Sequence, residues 1–409
     1  MGKLLHLLSQ RPSHTGSGIT LEALVSHARA AGWDQRVIVG VPQDDPQPAV
    51  GGLDPQHVWP LVFGAGELDF ALPGMSDVMP YVSTRFCTMS DERLTAYETA
   101  WRAQIAAVVR EFAPDVIHSH HVWILSSLVK DVALQVPVFV QSHATGLRQM
   151  QLCPQIAPRV ISGCRRAERF AVLHQEHAEQ LAQTLEVDPT RVRVVGAGYR
   201  NQLFHCDGRN AAPGQRLLYV GKYAAAKGLP WLLDAFQRLR ARRPRLELHV
   251  AGSGGGTEAD RLADRMRAMP GVVLHGQLGQ PALAALMRTC NVCVLPSFFE
   301  GLPLVLIEAL ACGCRLVSTA LPGVERDLAL RLGPALRLVQ PPRLTDVDTP
   351  LPQDLPRFVD DLSTALNQTL EYAPLDQTDY DLAQALEPFT WDAVYRRVET
   401  GWQELIAAK

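Results

Sequence analysis

Long apolar runs are missing from this 409-residue chain. No stretch approaches the ~18 apolar residues of a membrane-spanning helix. The most apolar helical segment, 302–314, carries Glu308 in its middle. The opening Met-Gly-Lys-Leu-Leu-His-Leu-Leu is too short for a signal peptide and reads as a first buried strand. Cysteine is sparse as well: eight residues in no regular framework exclude a disulfide scaffold. Neither sign of charge dominates, since 39 basic side chains face 42 acidic ones for a formal charge of -3. That balance gives no global attraction for nucleic acid or an anionic membrane, so any bound anion needs a local site. With 47% hydrophobic and 20% charged residues, disorder, collagen and coiled-coil arrays are excluded too. The expected compartment is a reducing cytoplasm, with peripheral contact at the inner membrane face left open.

What is present is alternation. Strand-like runs at 3–8, 35–41, 116–120, 136–141, 170–173 and 193–195 are separated by helical patterns such as 19–31, 91–111 and 177–185. The pattern restarts near Gln215, with strands at 216–220, 246–251, 272–275, 292–295 and 315–318. Two such series predict two doubly wound, parallel-sheet domains, 1–200 and 201–388. The segment 389–409 is amphipathic, with Trp391, Tyr395, Val398, Trp402 and Leu405 on one face, and is expected to pack back on the first domain. The Pro-, Gly- and Asp-rich segment 42–89 fits neither series and is read as long loops, with 72–81 a candidate for substrate contacts. In open parallel sheets ligands sit beyond the carboxyl ends of the strands, so the cleft between the domains is the expected site.

Four segments at strand ends carry chemistry. In Pro296-Ser-Phe-Phe-Glu-Gly-Leu-Pro-Leu-Val-Leu-Ile-Glu308, the first acid lies in a strand-to-helix loop and the second inside an apolar helix. A buried carboxylate needs strong donors, such as paired hydroxyls on a ribose, and the helix start at Gly301-Leu302 offers N–H groups to an anion. A single acid near a helix start is also common for purely electrostatic reasons. In Val220-Gly-Lys-Tyr-Ala-Ala-Ala-Lys227, Lys222 and Lys227 follow a strand and can clamp a diphosphate; solvated loop lysines are the commoner case. Gly16 and Gly18 follow the first strand and permit close approach of a ligand. The third glycine of a dinucleotide fingerprint is absent, which disfavours a nicotinamide cofactor. His143 follows another strand and can hydrogen-bond a sugar hydroxyl. His118, His120 and His121 read as structural hydrogen-bonding residues.

The spacing Glu300-x7-Glu308 resembles the E-x7-E motif of family 4 glycosyltransferases, which are retaining enzymes of the two-domain GT-B fold. Asp115-Val-Ile-His, the His143 segment, Val220-Gly-Lys with Lys227-Gly, Val250-Ala-Gly-Ser-Gly and Gly323-Val-Glu follow in the family's order. The resemblance implies a nucleotide-sugar donor, a UDP-sugar by expectation, and an acceptor on the first domain that is a saccharide, a lipid-linked molecule or a small molecule. It implies that Glu308 binds ribose, Glu300 contacts the transferred sugar, Lys222 and Lys227 hold the diphosphate, and His143 meets the sugar near C6. Catalytic roles thus fall to Glu300, His143 and Lys227. Donor binding falls to Gly16, Gly18, Lys222, Lys227, Leu278, Glu300, Gly301, Leu302 and Glu308. Many family members have arginine where Lys222 stands, and an adjacent glycine pair where this chain has Gly-Ser-Gly.

No metal or other cofactor is expected, since lysines and helix starts can offset the charge of a departing diphosphate. Asp346-Val-Asp348 and Asp379-Tyr-Asp381 follow no buried strand and are read as chance. Cys290, Cys293, Cys312 and Cys314 lack zinc-site spacing and are read as buried thiols. Five arginines within 238–245 read as a solvated helix end, with an anionic lipid surface the sharper alternative. The expected activity is hexosyl transfer with retention and without metal. A nucleotide-sugar epimerase and a non-catalytic sugar-nucleotide-binding subunit are the competing classes.

Overall fold

The computed structural model describes all residues except Met1, His14, Asp77, Val78, 210–214, Gly301, Val347, Pro374 and 376–381. It divides into two compact units, Met1–Ala197 with Trp391–Lys409, and Gly198–Thr390.

The first unit is built on a parallel seven-stranded sheet. Its strands are β1 (Lys3–Leu8), β2 (Asp34–Pro42) and β3 (Val58–Phe63); then, after the short pair β4 (Pro73–Gly74) and β5 (Thr84–Arg85), β6 (Val116–His120), β7 (Val138–Gln141), β8 (Arg169–Val172) and β9 (Val192–Val194). The order is β3-β2-β1-β6-β7-β8-β9, so the chain reverses direction across the sheet between β1 and β6. Helices on both faces make the strands near-continuous apolar runs. Period-two alternation still decides which side chain meets which layer. Leu5, Leu7 and Ile117 join the core under α2 (Asp91–Phe112), α3 (Ile124–Val132), α5 (Ala157–Cys164) and α6 (Gln175–Leu185), α4 (Thr145–Leu152) lying between α3 and α5 in sequence. Leu4 and Val116 face the opposite layer, formed by α1 (Gly16–Ala30) and the C-terminal helix Trp391–Ala407, whose Trp402 is fully buried.

The segment expected to be loop throughout holds β3, which pairs in parallel with β2 from Val37↔Val58 to Pro42↔Phe63. Pro60 is tolerated because β3 is the sheet edge, where one row of N–H groups has no ladder partner to lose.

The second unit has a parallel six-stranded sheet, β10 (Arg216–Val220), β11 (Glu247–Ala251), β12 (Val272–Gly276), β13 (Val292–Leu295), β14 (Arg315–Thr319) and β15 (Leu336–Val339), in the order β12-β11-β10-β13-β14-β15. Its helices are α7 (Leu229–Arg242), α8 (Thr257–Ala268), α9 (Gln280–Met287), α10 (Leu304–Ala311), α11 (Ala329–Leu332), α12 (Leu355–Thr369) and α13 (Leu382–Leu386). Leu217, Tyr219, Leu248 and Val250 pack with Leu232, Phe236, Phe358 and Leu362 of α7 and α12. The reversal between β10 and β13 opens the sheet's carboxyl edge where the Lys222 and Glu300 loops leave it.

Candidate functional site

Two loops at the carboxyl ends of β10 and β13 are bolted together by backbone. Phe298 N–H donates to Ala226 O at 3.0 Å, and Gly228 sits at φ +69° against Pro296. A Cβ on Gly228 would lie 2.0 Å from Pro296 O, so the left-handed turn after Lys227 demands glycine on both conformational and steric grounds. Below the loops, Thr319 Oγ1 donates to Ser297 O at 2.5 Å, and the Phe298 ring packs on Trp231 and Phe358. The result is an ion pair on a rigid base. Lys227 Nζ lies 2.7 Å from Glu300 Oε1 and donates also to Phe299 O at 3.2 Å. Both side chains are mostly shielded, at 26% and 19% exposure, yet reachable from solvent. An ammonium has three N–H donors, and two of them meet partners among the described residues, so one can serve an incoming anion.

Lys222 occupies the start of the same loop. Its carbonyl accepts from the hydroxyl of buried Tyr219 at 2.7 Å, and Ala225 N–H donates to Glu258 Oε1 at 2.9 Å, fixing the backbone between the two lysines. Beside it, Gly252 at φ +140° would place a Cβ 1.9 Å from Gly221 O. The ends of β10 and β11 meet more closely than any side chain allows. Glu308, on α10, is 9% exposed, and burial pushes its carboxyl up to about 7 against the opposing pull of the Arg200 charge. Leu302 is buried, Leu278 is half-buried just before α9, and Gly301 lies outside the described residues. Lys227, Glu300 and Glu308 are thus carried by adjoining elements. Arg200 was not singled out in the sequence, because nothing near Tyr199 in the chain announces a carboxylate a hundred residues away.

In the first unit the glycines differ from expectation. Gly16 and Gly18 form the first turn of α1, not a loop: Thr15 caps the helix by accepting from Gly18 N–H at 3.1 Å. Gly16 has open space where a Cβ would stand, whereas Gly18 is required by its own chain, with Ser13 N at 2.8 Å from such a Cβ. His143, half-buried, meets His120 through Nε2 and Nδ1 at 3.0 Å, and burial holds it well below its ordinary value, hence neutral. Next to it, His121 joins Gln10 Oε1 at 3.1 Å and Thr145 Oγ1 at 3.1 Å, while Ser17 donates to the same Gln10 oxygen at 2.8 Å. Gln10 therefore ties the loops after β1 and β6 to α1. Ser13, His121 and Ala144 hold positive φ of 65°, 69° and 68°, the kind of local strain that persists only where surroundings over-determine it. The segment 72–81 packs here as well, with Gln10 Nε2 3.9 Å from Met79 Sδ. Asp77 and Val78 of that segment are outside the described residues.

His6, His118 and His120, all fully buried, bring ring nitrogens within 4.8 Å of one another, among the described residues. The rings of His118 and His120 are stacked 4.6 Å apart at 22°. Lone pairs that lie in two such stacked planes are poorly placed to meet at a common tetrahedral point. Asp346 Oδ1 accepts from the N–H groups of Asp348 and Thr349 at 3.1 and 3.0 Å, a turn-forming role; Asp379 and Asp381 are outside the described residues. Cys290, Cys293, Cys312 and Cys314 are buried, and burial raises all four thiols. Of the 238–245 arginines, Arg238 pairs with Asp360, Arg240 donates to Leu246 O and Arg243 to Asn367. No helix among the described residues is long and apolar enough to cross a membrane.

Two family models match the chain: a glycosyl transferase 4-like domain over residues 15–198 and the group 1 glycosyl transferases over 214–339. The chain belongs to glycosyltransferase family 4. It is 30% identical over 298 residues to D-inositol 3-phosphate glycosyltransferase of Geodermatophilus obscurus, covering 62% of this chain and 64% of that one. It thus spans less than two thirds of that relative's length. Glycogen synthase of Mycobacterium tuberculosis is 27% identical over 227 residues, 53% of this chain and 54% of its own. Among solved structures, sucrose-phosphate synthase of Thermosynechococcus elongatus superposes over the whole of both chains with a TM-score of 0.68 at 19% identity. An Anabaena HepE structure in complex with UDP and glucose gives 0.63 at 15% identity, over 99% of this chain and 100% of that one. At those identities the structures establish the GT-B fold of this glycosyltransferase-family chain and no more.

Proposed function

We propose that this family 4 member transfers a hexosyl group from a nucleotide sugar, a UDP-sugar, to an acceptor held by the first unit, with retention of configuration and without a metal. The observation that carries the reading is the Lys227–Glu300 pair, locked at a strand end eight residues before a buried carboxylate at Glu308. A departing nucleoside diphosphate already carries about two negative charges and gains one more as the sugar C–O bond breaks, and preorganised cations and helix N–H groups stabilise it without reorganisation. Lys227 supplies its remaining N–H to a phosphoryl oxygen while Glu300 and Phe299 O keep the ammonium in place. Lys222 adds a second positive charge on the same loop. Glu308, ionised, accepts from the ribose hydroxyls, and Glu300 presents its other oxygen to the sugar. Retention without an enzymic nucleophile follows if the acceptor attacks from the face the diphosphate leaves, the diphosphate taking the acceptor's proton.

The acceptor's class is left undivided, because the relatives' names range from an inositol phosphate to glucan and sucrose-phosphate synthesis. UDP as the nucleotide is supported by the HepE complex, whereas the Arabidopsis starch synthase neighbour was solved with ADP.

The test is donor turnover over a panel of UDP-, GDP- and ADP-sugars, with and without candidate acceptors, and with product analysis to detect epimerisation. Lys227→Ala and Glu300→Gln should each lower kcat by about 10²–10³, the cost of removing one preorganised charge at a leaving group, with circular dichroism unchanged. Turnover at the wild-type rate in Lys227→Ala defeats the reading. Equal turnover after exhaustive chelation is the expected outcome for the metal-free step.

A further inference from the structure

The buried histidines of the first unit fix more than packing. Gln35 donates its amide to Val25 O at 3.2 Å, which turns its oxygen toward His6 Nε2 at 3.1 Å, so His6 carries its proton on Nε2. The next decision lies between His120 Nδ1 and His143 Nε2, 3.0 Å apart, where only one of the two can donate. Burial holds both rings neutral, leaving each a single N–H. Among the described residues, His120 Nε2 is buried and has no hydrogen-bond partner, and the same is true of both nitrogens of His118. If His143 donated, the proton of His120 would sit on that isolated Nε2. Two orphaned N–H groups, of His120 and His118, would then lie in the core. If His120 donates, His118 alone has an unpartnered N–H, and its ring lies edge-on to Phe139 and tilted against Trp402. A buried N–H without an acceptor loses its hydration with nothing in return and is rarer in folded proteins than an under-used acceptor.

We propose that His120 is a positioning residue: it donates Nδ1–H to His143 Nε2 and so fixes His143 as its Nδ1-protonated tautomer, a hydrogen-bond donor toward a substrate oxygen. His143 stands at the end of β7, half-buried, with Nε2 turned inward to the sheet, so Nδ1 is the nitrogen left to the ligand. Its backbone is held from both sides. Ser142 Oγ meets His177 Nε2 at 2.9 Å, and Ala144 takes the strained φ of +68°. As a neutral donor His143 cannot abstract a proton through Nδ1; it can only orient or stabilise an oxygen. The tautomer stands on the hydrogen-bond geometry and on the burial that keeps both rings neutral, and its use on a sugar oxygen rests on the glycosyl-transfer reading.

The experiment is long-range proton–nitrogen NMR of the full chain labelled at histidine, at pH 7.5, with His143 assigned by His143→Gln. The expected spectrum shows His143 protonated at Nδ1 and bare at Nε2. His120→Phe, which keeps a ring and removes the donor, should abolish that single-tautomer signature. His120→Asn, whose amide can replace the Nδ1 donor, should restore it. A thermal melt of each variant establishes that it is folded before the spectrum is read. In the same variants, UDP-glucose hydrolysis should fall about tenfold in kcat for His120→Phe and recover in His120→Asn, with UDP affinity unchanged. An Nε2-protonated His143 in the wild type, or an unaltered His143 in His120→Phe, overturns the proposal. The expected tautomer together with no turnover of any nucleotide sugar sinks the functional reading and leaves the tautomer assignment standing.

Discussion

Glu308 shows how one residue links stability and binding. Its carboxyl is raised from an ordinary 4.5 to about 7, with burial the larger cause and Arg200 opposing it. A group raised in the folded state favours folding while protonated, so ionisation costs stability that accumulates as pH climbs from 4.5 to 7. At about 1.4 kcal/mol per unit the full cost is about 3 kcal/mol. Glu308→Gln should therefore match the wild type near pH 4 and exceed it by up to about 3 kcal/mol at pH 8, measured by urea unfolding at both values. Its nucleotide affinity should behave in the opposite way. If the carboxylate accepts from ribose, wild-type UDP affinity falls by about tenfold per unit below pH 7, while Glu308→Gln binds weakly with a flat profile, as calorimetry would show. Glu300 and the two lysines could be picked out by reading the chain because they follow strands next to glycine, and Glu308 because it interrupts an otherwise apolar helix. His120 and Gln10 could not, because their meaning lies in partners brought by other strands: His143 is 23 residues from His120, and His121 is 111 from Gln10.

At the scale of elements, the loops that present Lys227 and Glu300 depend on backbone fit. Gly228→Ala adds a Cβ against Pro296 O at φ +69°, so it should destabilise the second unit by roughly 2–4 kcal/mol. It should also lower turnover beyond what unfolding explains, because Lys227 is the preceding residue. A thermal melt and kinetics at a temperature where the variant is folded separate the two effects. The same scale explains what could be read early. Buried parallel strands are dense in β-branched and leucine residues, and β1, β6, β10 and β13 carry that pattern between clear helical stretches. β3 and β15 escaped it for local reasons, one being interrupted by Pro60 and the other a four-residue run before a proline pair, whereas the remaining edge strands, β9 and β12, were legible. The end of α10 has a local signal, since Gly313 just beyond it adopts φ +83°.

For the molecule as a whole, the C-terminal helix belongs to the unit that the chain began. Trp402, fully buried, contacts His6, His118 and Trp33, and Trp33 Nε1 donates to Glu399 at 2.8 Å. Deleting 391–409 uncovers the part of that face of the first sheet that α1 does not cover, including Leu4, Val116 and Phe139. The expected outcome is loss of amide protection in β1, β6 and β7 by hydrogen exchange, with β10 and β13 still protected. Trp402→Ala should cost the first unit about 3–5 kcal/mol by the usual penalty for emptying a buried aromatic site. Equal protection in both units after the deletion would show that the helix is dispensable.

That arrangement sets an order of events during synthesis. The second unit is complete in the nascent chain before the first can be finished, although the first was started earlier. At ribosomal speeds the first sheet, its strands already made, waits roughly 10–40 s for its closing helix. During that wait the imidazoles destined for the core are bathed in water and free to take up protons. The docking of Trp402 against His6 and His118 closes that access for those two rings.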